Sequence, residues 1–350
     1  MQIFESPHFD DHEQVVFVSD SRTKLSAIIA IHSAALGPAV GGCRMWAYRS
    51  EGDAVTDALR LSKGMTYKAA ISNLPIGGGK AVVIGDARTQ KTPELLAALG
   101  RAIDQLGGRY VTAEDVGMNS ADMACIGKAT THVLGLPAKL GGSDDPSPTT
   151  AYGCLFGIRA AVANRWNARS VDGVRIAVQG VGSVGSSLCG YLRNDGALLT
   201  VSDVDDGAAA RIGERFSATV VKPDEIYDAD VDVFSPCALG GVLNDSTIDR
   251  LRACIVAGGA NNQLANAGDG ERLRSAGILY APDYAINAGG IIRVTGELLA
   301  WTPDEVDKRV RAIEGTILEI FGEAGGLETP TSDVADRIAR RRFESAIESA

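Results

Sequence analysis

Gly180-Val-Gly-Ser-Val-Gly185 is a complete G-x-G-x-x-G, and its neighbours on both sides suit the chemistry it would serve. Val174-Arg-Ile-Ala-Val-Gln before it reads as a buried strand, and Ser186 to Arg193 after it as a helix. A second apolar run, Ala197 to Ser202, ends on Asp203, 18 residues past the last glycine. In a strand–loop–helix unit of this kind Gly180 permits the tight turn, Gly182 admits a pyrophosphate to the backbone, and Gly185 lets helix and strand pack closely. The helix N-terminus offers unpaired N–H groups to phosphates, and Asp203 can accept from both ribose hydroxyls. A dinucleotide site follows, and with it redox chemistry.

The elements that must position such a site alternate along the chain. Gln14 to Val18 and Leu25 to His32 read as a hairpin. Ser50-Glu-Gly-Asp opens an amphipathic helix with Val55, Leu59, Ser62 and Met65 on one face. A strand from Lys80 to Ile84, a helix from Pro93 to Leu106 and a strand from Arg109 to Ala113 complete a first α/β domain. Gly135 to Pro148 is rich in chain breakers and is the expected hinge. The helix Thr150 to Arg165, the glycine motif, and short strands at Val231 to Phe234, Cys254 to Ala257 and Ile278 to Tyr280 then predict a doubly wound parallel sheet. The expected division is 1–138 for substrate binding and catalysis, with 328–350 packing back on it, and 139–327 as a Rossmann-like dinucleotide-binding domain, with a cleft between them. A final helix capped by Ser332 carries Arg340, Arg341 and Arg342, expected as a solvated face.

Composition narrows the class. The 350 residues, 45% hydrophobic, are enough for two cores, and no apolar run approaches the roughly 20 residues of a membrane span. A net charge of −10 argues against nucleic acid as a partner. Six scattered cysteines without a CxxC pair, four histidines without ligand spacing and no signal-peptide pattern predict no disulfide framework, no metal and a cytoplasmic setting.

Outside the dinucleotide motif, Lys68 and Lys80 lie twelve residues apart around what reads as a glycine turn, Gly77-Gly-Gly. A phosphate loop is excluded, since Leu74 stands where it needs glycine and Ala81 where it needs Ser or Thr. Three glycines before a lysine allow close backbone approach to a ligand, and Asp115 falls just past an expected strand end. Two surface lysines and a turn aspartate explain the same residues equally well.

The chain resembles the amino-acid dehydrogenases of the glutamate, leucine, phenylalanine and valine group, the leucine enzymes above all, from about Glu13 to the final helix. The resemblance rests on Leu36-Gly-Pro-Ala-Val-Gly-Gly-Cys-Arg, Gly64-Met-Thr-Tyr-Lys, Gly77-Gly-Gly-Lys, Thr112-Ala-Glu-Asp-Val-Gly, Pro146-Ser-Pro-Thr-Thr-Ala-Tyr-Gly, Pro236-Cys-Ala-Leu-Gly, Gly259-Ala-Asn-Asn and Ala281-Pro-Asp-Tyr-Ala-Ile-Asn-Ala-Gly-Gly. It implies oxidative deamination of an L-amino acid to the 2-oxo acid and ammonia, and the reverse. Lys68 is then expected on the substrate α-carboxylate, Lys80 as general base and Asp115 as its partner in proton transfer. A lysine can act as base only when neutral, which desolvation and a nearby second cation favour. Gly41 is expected to line the pocket, with Asn261 and Asn287 at the substrate or nicotinamide. The resemblance adds Thr150, Ser183, Val184, Cys237, Ala238 and Asn261 to Gly180, Gly182, Gly185 and Asp203 as cofactor-binding residues. It also implies a homo-oligomer, as large as an octamer, built through the first domain.

Substrate choice follows from two positions. Where glutamate dehydrogenases place a lysine and a serine for a distal carboxylate, this chain has Val40 and Val294. An unpaired carboxylate buried there would cost several kcal/mol. A pocket of Val40, Met65, Ala113, Ile291 and Val294 suits leucine, isoleucine or valine. Phenylalanine or tryptophan is the alternative, because Val40 is smaller than the leucine of the leucine enzymes and Asn119 to Met123 is more like the phenylalanine enzyme. Asp203, Asp205 and Asp206 would repel a 2′-phosphate, so NAD is expected over NADP. A binding protein that kept the fold as a dinucleotide sensor is the reading from another class.

Overall fold

The computed structural model describes residues 3–137, 139, 142, 145–168 and 170–348. It divides into two compact units: Met1–Asp144 with Val294–Ala300 and Ala339–Ala350, and Asp145–Arg293 with Trp301–Ile338. Part of the expected hinge lies outside the described residues. The return to the first unit includes 294–300, and at the C-terminus begins at Ala339 rather than at 328.

The first unit holds a five-stranded sheet of β1 (Gln14–Asp20), β2 (Leu25–Ser33), β3 (Ala39–Trp46), β4 (Gly77–Ile84) and β5 (Tyr110–Ala113), in the order β1-β2-β4-β3-β5. β1 and β2 form the expected antiparallel hairpin, while β3 runs parallel to both β4 and β5. Helix α1 (Glu51–Ile71) covers one face, packing Ala54, Val55, Ala58 and Leu59 with Ile28, Ala30 and Val82. Helices α2 (Pro93–Asp104) and α3 (Ser120–Ile126) cover the other, with Leu95, Leu99, Ile103, Met123 and Ile126 against Ile29, Ile31, Cys43 and Val83. Coverage of both faces explains why β2 reads as an almost unbroken apolar run. Ser50 caps α1 by accepting from the Asp53 N–H at 3.1 Å, an interaction worth about 1 kcal/mol.

Two sequence expectations change here. The triple glycine is no turn: Gly77, Gly78 and Gly79 open strand β4, and the bend lies at Ser72-Asn73. A Cβ on Gly78 would lie 2.0 Å from the Thr66 backbone nitrogen, so its absence lets α1 rest against the sheet. Strand β3, unforeseen because Gly-Gly-Cys-Arg breaks its apolar pattern, lies between β4 and β5.

The second unit is built on six parallel strands: β6 (Arg175–Gln179), β7 (Leu198–Ser202), β8 (Thr219–Val220), β9 (Val233–Pro236), β10 (Ile255–Val256) and β11 (Leu279–Tyr280). Their order, β11-β10-β9-β6-β7-β8, is that of a doubly wound dinucleotide fold, as expected. The order reverses between β6 and β9. Helix α4 (Ser147–Trp166) packs on α5 (Ser183–Asn194), and α6 (Asp206–Phe216) follows β7.

The final helix spans Thr331–Glu348, so Ser332 sits within its first turn rather than before it. Arg340 and Arg341 of the basic run are exposed, as expected of a solvated face, but two of the three arginines also dock on the first unit. Arg342 donates to the carbonyls of Ala70 (3.3 Å) and Ile71 (2.6 Å) at the end of α1. Arg340 donates to the Tyr67 hydroxyl and to Asp10. Among the described residues no helix is long and apolar enough to cross a membrane, and all six cysteines are free thiols.

Candidate active site

In the first unit the key side chains share one face of the sheet. Side chains alternate along a strand, so Val40, Gly42 and Arg44 of β3, Gly78, Lys80 and Val82 of β4, and Val111 and Ala113 of β5 all face α1. Lys80 is only 5% exposed. Its Nζ lies 2.5 Å from Asp115 Oδ2. Asp115 belongs to the segment just beyond β5, and Gly42 makes room for it: a Cβ there would stand 2.8 Å from the Asp115 Cβ. Gly42, unlike Gly41, is not singled out by its place in the motif. The structure gives Gly41 a packing reason, since its Cβ would collide with the Gly79 carbonyl at 1.7 Å.

Asp115 has a second cationic partner, Arg44, whose Nε donates to the same Oδ2 at 3.1 Å. Burial pushes the Asp115 carboxyl upward, but Lys80 and then Arg44 outweigh it and hold it below the ordinary carboxylate range. Arg44 was also missed, although it ends the quoted Gly-Gly-Cys-Arg motif. Met65 and Lys68 lie on α1, both half-buried, and Ala113 is half-buried at the end of β5. Val40 is buried, in register with Gly78 and Val111. Val294 is half-buried in the segment 294–300 of this unit.

In the second unit the glycine loop follows β6 and Cys237-Ala238 follows β9, so both meet at the reversal in strand order, where doubly wound sheets bind ligands. Gly180 adopts φ +86°, and its Cβ would stand 2.6 Å from that of Ala238. A Cβ on Gly185 would meet the Gly180 carbonyl at 2.0 Å, whereas one on Gly182 would meet nothing within 4 Å. Ser183 and the half-buried Val184 begin α5, whose N-terminus carries no side-chain cap. Asp203 accepts from the Val181 N–H at 2.7 Å through Oδ2 and from the Asp205 N–H at 2.9 Å through Oδ1. Asp205 caps α6, accepting from the Ala208 N–H.

Asn287, 2% exposed, donates to Asn261 Oδ1 at 2.8 Å and to the Gly259 carbonyl at 3.2 Å, so these two expected residues are brought together. Thr150 donates to the Pro146 carbonyl within the first turns of α4. Ile291 is buried in the helix Gly289–Leu298. An open approach at Gly182, free N–H groups on α5 and a carboxylate tied to the loop fit an adenosine dinucleotide with a free ribose diol.

Two family profiles together cover most of the chain. The profile of the Glu/Leu/Phe/Val dehydrogenase dimerisation domain matches residues 12–132, and that of Glutamate/Leucine/Phenylalanine/Valine dehydrogenase matches residues 141–213 and 208–325. A leucine dehydrogenase of Thermoactinomyces intermedius is 48% identical over 344 residues, 98% of this chain and 94% of the relative. An L-tryptophan dehydrogenase of Nostoc punctiforme is 47% identical over 347 residues, 99% and 97% of the two chains. The crystal structure of L-tryptophan dehydrogenase from Nostoc punctiforme superposes with a TM-score of 0.87 at 45% identity, covering 96% of this chain and 97% of that one.

Proposed function

Since this chain belongs to the Glu/Leu/Phe/Val dehydrogenase family, we propose that it deaminates a branched-chain, leucine-like L-amino acid to the 2-oxo acid and ammonia, and catalyses the reverse amination. It is an amino-acid dehydrogenase, and its cofactor is NAD. The observation that carries the mechanism is the Lys80–Asp115 pair, 2.5 Å apart at a 5%-exposed amine.

In this reading Lys68 binds the substrate α-carboxylate and so fixes which face of Cα is presented. NAD, bound by Gly180, Gly182, Ser183, Val184, Gly185, Asp203, Cys237, Ala238, Thr150 and Asn261, supplies the hydride acceptor. Lys80 takes the proton released when water adds to the iminium that hydride transfer leaves on the substrate. Asp115 stabilises the ammonium so formed and passes its proton on, resetting the base for the next cycle. Asn287, held by the Gly259 carbonyl, orients Asn261. Amino acid, NAD and water thus become 2-oxo acid, ammonia, NADH and a proton.

Val40, Met65, Ala113 and Val294 of the first unit, with Ile291 of the second, are the apolar side chains assigned to the substrate. None can pair a distal carboxylate, so glutamate is a poor substrate. An aromatic amino acid is the second reading, favoured by the 47%-identical tryptophan dehydrogenase and by the small side chain at Val40. One methylene of pocket volume separates substrates by only about 1–3 kcal/mol. A homo-oligomer built through the first unit, as large as an octamer, belongs to the same reading. The family describes that domain as a dimerisation domain, and the edge strand β1 leaves Phe17 51% exposed. Free cysteines suit a cytoplasmic setting.

The test is kcat/KM for leucine, isoleucine, valine, phenylalanine, tryptophan and glutamate with NAD. Leucine or another branched substrate should lead the aromatic ones by about tenfold and glutamate by roughly a hundredfold or more. An aromatic lead would replace the branched-chain reading by its alternative. A glutamate lead would sink the apolar pocket.

A further inference from the structure

Arg44 stands at the centre of a chain of polar contacts that begins at the reacting pair and runs away from it. Its Nε donates to Asp115 Oδ2 at 3.1 Å, and its Nη1 donates to Asp57 Oδ2 at 2.9 Å. The Tyr48 hydroxyl donates to the same Asp57 oxygen at 2.5 Å. Arg44 and Asp57 are each 24% exposed and Asp115 is 20% exposed, so water screens these contacts only in part. Each member is set by rigid structure. Arg44 projects from the central strand β3, Asp57 from the second turn of α1, and Asp115 rests over Gly42, two residues before Arg44 on the same strand and face.

We propose that Arg44 is a positioning residue for the Lys80–Asp115 pair, holding one oxygen of the Asp115 carboxylate against the lysine while Asp57 and Tyr48 hold the guanidinium. The inference rests on the reading of Lys80 as base and Asp115 as its partner. Both cations address Oδ2, so Asp115 is fixed from two directions through a single atom. Without Arg44, the carboxylate could turn about its χ torsions, and Lys80 would lose a partner at a defined place. Because a base and its proton relay must keep hydrogen-bond geometry, such loosening lowers the rate of the chemical step more than it weakens binding. The charge balance points the same way. Burial works to discharge Asp115, and Arg44 is the second cation after Lys80 that opposes it. Burial also disfavours charge on Arg44, but Asp115 and Asp57 together keep the guanidinium more firmly protonated than usual. Tyr48 is pushed up by burial and by its bond to Asp57, so it remains a neutral donor. Arg44 acts through Asp115, which distinguishes its role from that assigned to Lys68.

The experiment compares Arg44→Gln, Arg44→Lys, Asp115→Asn and the double variant Arg44→Gln/Asp115→Asn in the full-length protein. Saturating kcat, KM for the best amino acid and NAD affinity by fluorescence titration are measured for each. Arg44→Gln should lower kcat about 30-fold while KM and NAD affinity stay within about threefold, and Arg44→Lys should recover much of the loss. The double variant should be about as slow as Asp115→Asn alone, because both substitutions remove one function. An Arg44→Gln enzyme within about threefold of wild-type kcat overturns the proposal, as do losses that multiply in the double variant. Should Arg44→Gln fail to fold, Asp57→Asn reads the same contact from its far side. A kcat loss of about threefold to tenfold is expected there, and an unchanged kcat overturns the proposal. Asp115→Asn keeps the two ideas apart. If it retains full kcat, the reading of the Lys80–Asp115 pair fails; if it is slow and the Arg44 variants are not, only the role of Arg44 fails.

Discussion

Two glycine runs in this molecule look alike on paper and do different work. Gly77-Gly-Gly79 lies inside β4, and every side chain added there would strike protein: the Ser33 carbonyl at 2.1 Å, the Thr66 backbone at 2.0 Å, the Tyr110 ring at 2.7 Å. Gly180 to Gly185 is mixed. Its first and last glycines are packed against Ala238 and the Gly180 carbonyl, but its middle one, Gly182, faces open space. The first run lets a helix and neighbouring strands close on the strand that carries Lys80. The second keeps a place for a ligand backbone. Glycine content therefore marks close approach, and the surroundings decide whether the approaching partner is the protein itself or something it binds.

Substitutions should separate the two runs. Gly78→Ala carries the largest expected effect, about 3 kcal/mol or more of lost stability, because neither the Thr66 backbone nor the strand can move aside cheaply. Chemical denaturation measures it, and a stable Gly78→Ala protein with normal turnover would contradict the packing role. The contrast also extends to pH. In the first unit His32 is 4% exposed, its Nδ1 bonded to Thr66 Oγ1 at 2.9 Å and its Nε2 3.7 Å from Asp10. Burial, reinforced by the neighbouring His12, pushes its ring down to about 4 from the ordinary 6.5. Below pH 6.5 the unfolded chain takes up a proton that the folded chain refuses. Stability from this group is thus complete above about 6.5 and lost as pH falls towards 4, by about 3 kcal/mol at most. Denaturation midpoints at pH 7, 5.5 and 4.5 should fall in that order, and His32→Asn should flatten the fall.

Gly182→Ala comes last. The protein should fold with unchanged stability yet bind NAD roughly tenfold more weakly, since a methyl group would meet only the incoming pyrophosphate. Calorimetric titration with NAD checks it. Undiminished affinity would mean that the open space at Gly182 is not where the dinucleotide runs.

These contrasts also explain what could be read from the chain beforehand. In the second unit β6, β7, β9, β10 and β11 were legible, because they are short apolar runs and the glycine loop is a local motif with turn, helix start and acid between Val174 and Asp203. Strand β8 and the helices between Tyr280 and Thr331 were not foreseen. In the first unit the hairpin, α1 and α2 were legible from their alternation and caps. Strand β3 was not, because Gly41 and Gly42 remove the apolar pattern at the positions where the sheet needs room. The triple glycine reads as a turn for the same reason, since nothing in three adjacent glycines says that Thr66 and Tyr110 fill the space they leave. Of the site, Lys80 and Asp115 could be named from motifs, but their contact, 35 positions apart in sequence, could not. Arg44 and Asp57 escaped notice because an ion pair between a strand and a helix has no spacing rule. The docking of Arg340 and Arg342 onto Tyr67 and the end of α1 is equally non-local, and a run of three arginines resembles any solvated helix face.

The amine of Lys80 is the base on which the proposed chemistry turns. The most direct measurement replaces it by alanine and follows NADH formation at saturating amino acid beside NAD binding by calorimetry. We expect kcat to fall by about a thousandfold or more while NAD affinity stays within about twofold of wild type. Turnover within about tenfold of wild type, or a parallel collapse of NAD binding in a protein that still folds, would contradict it.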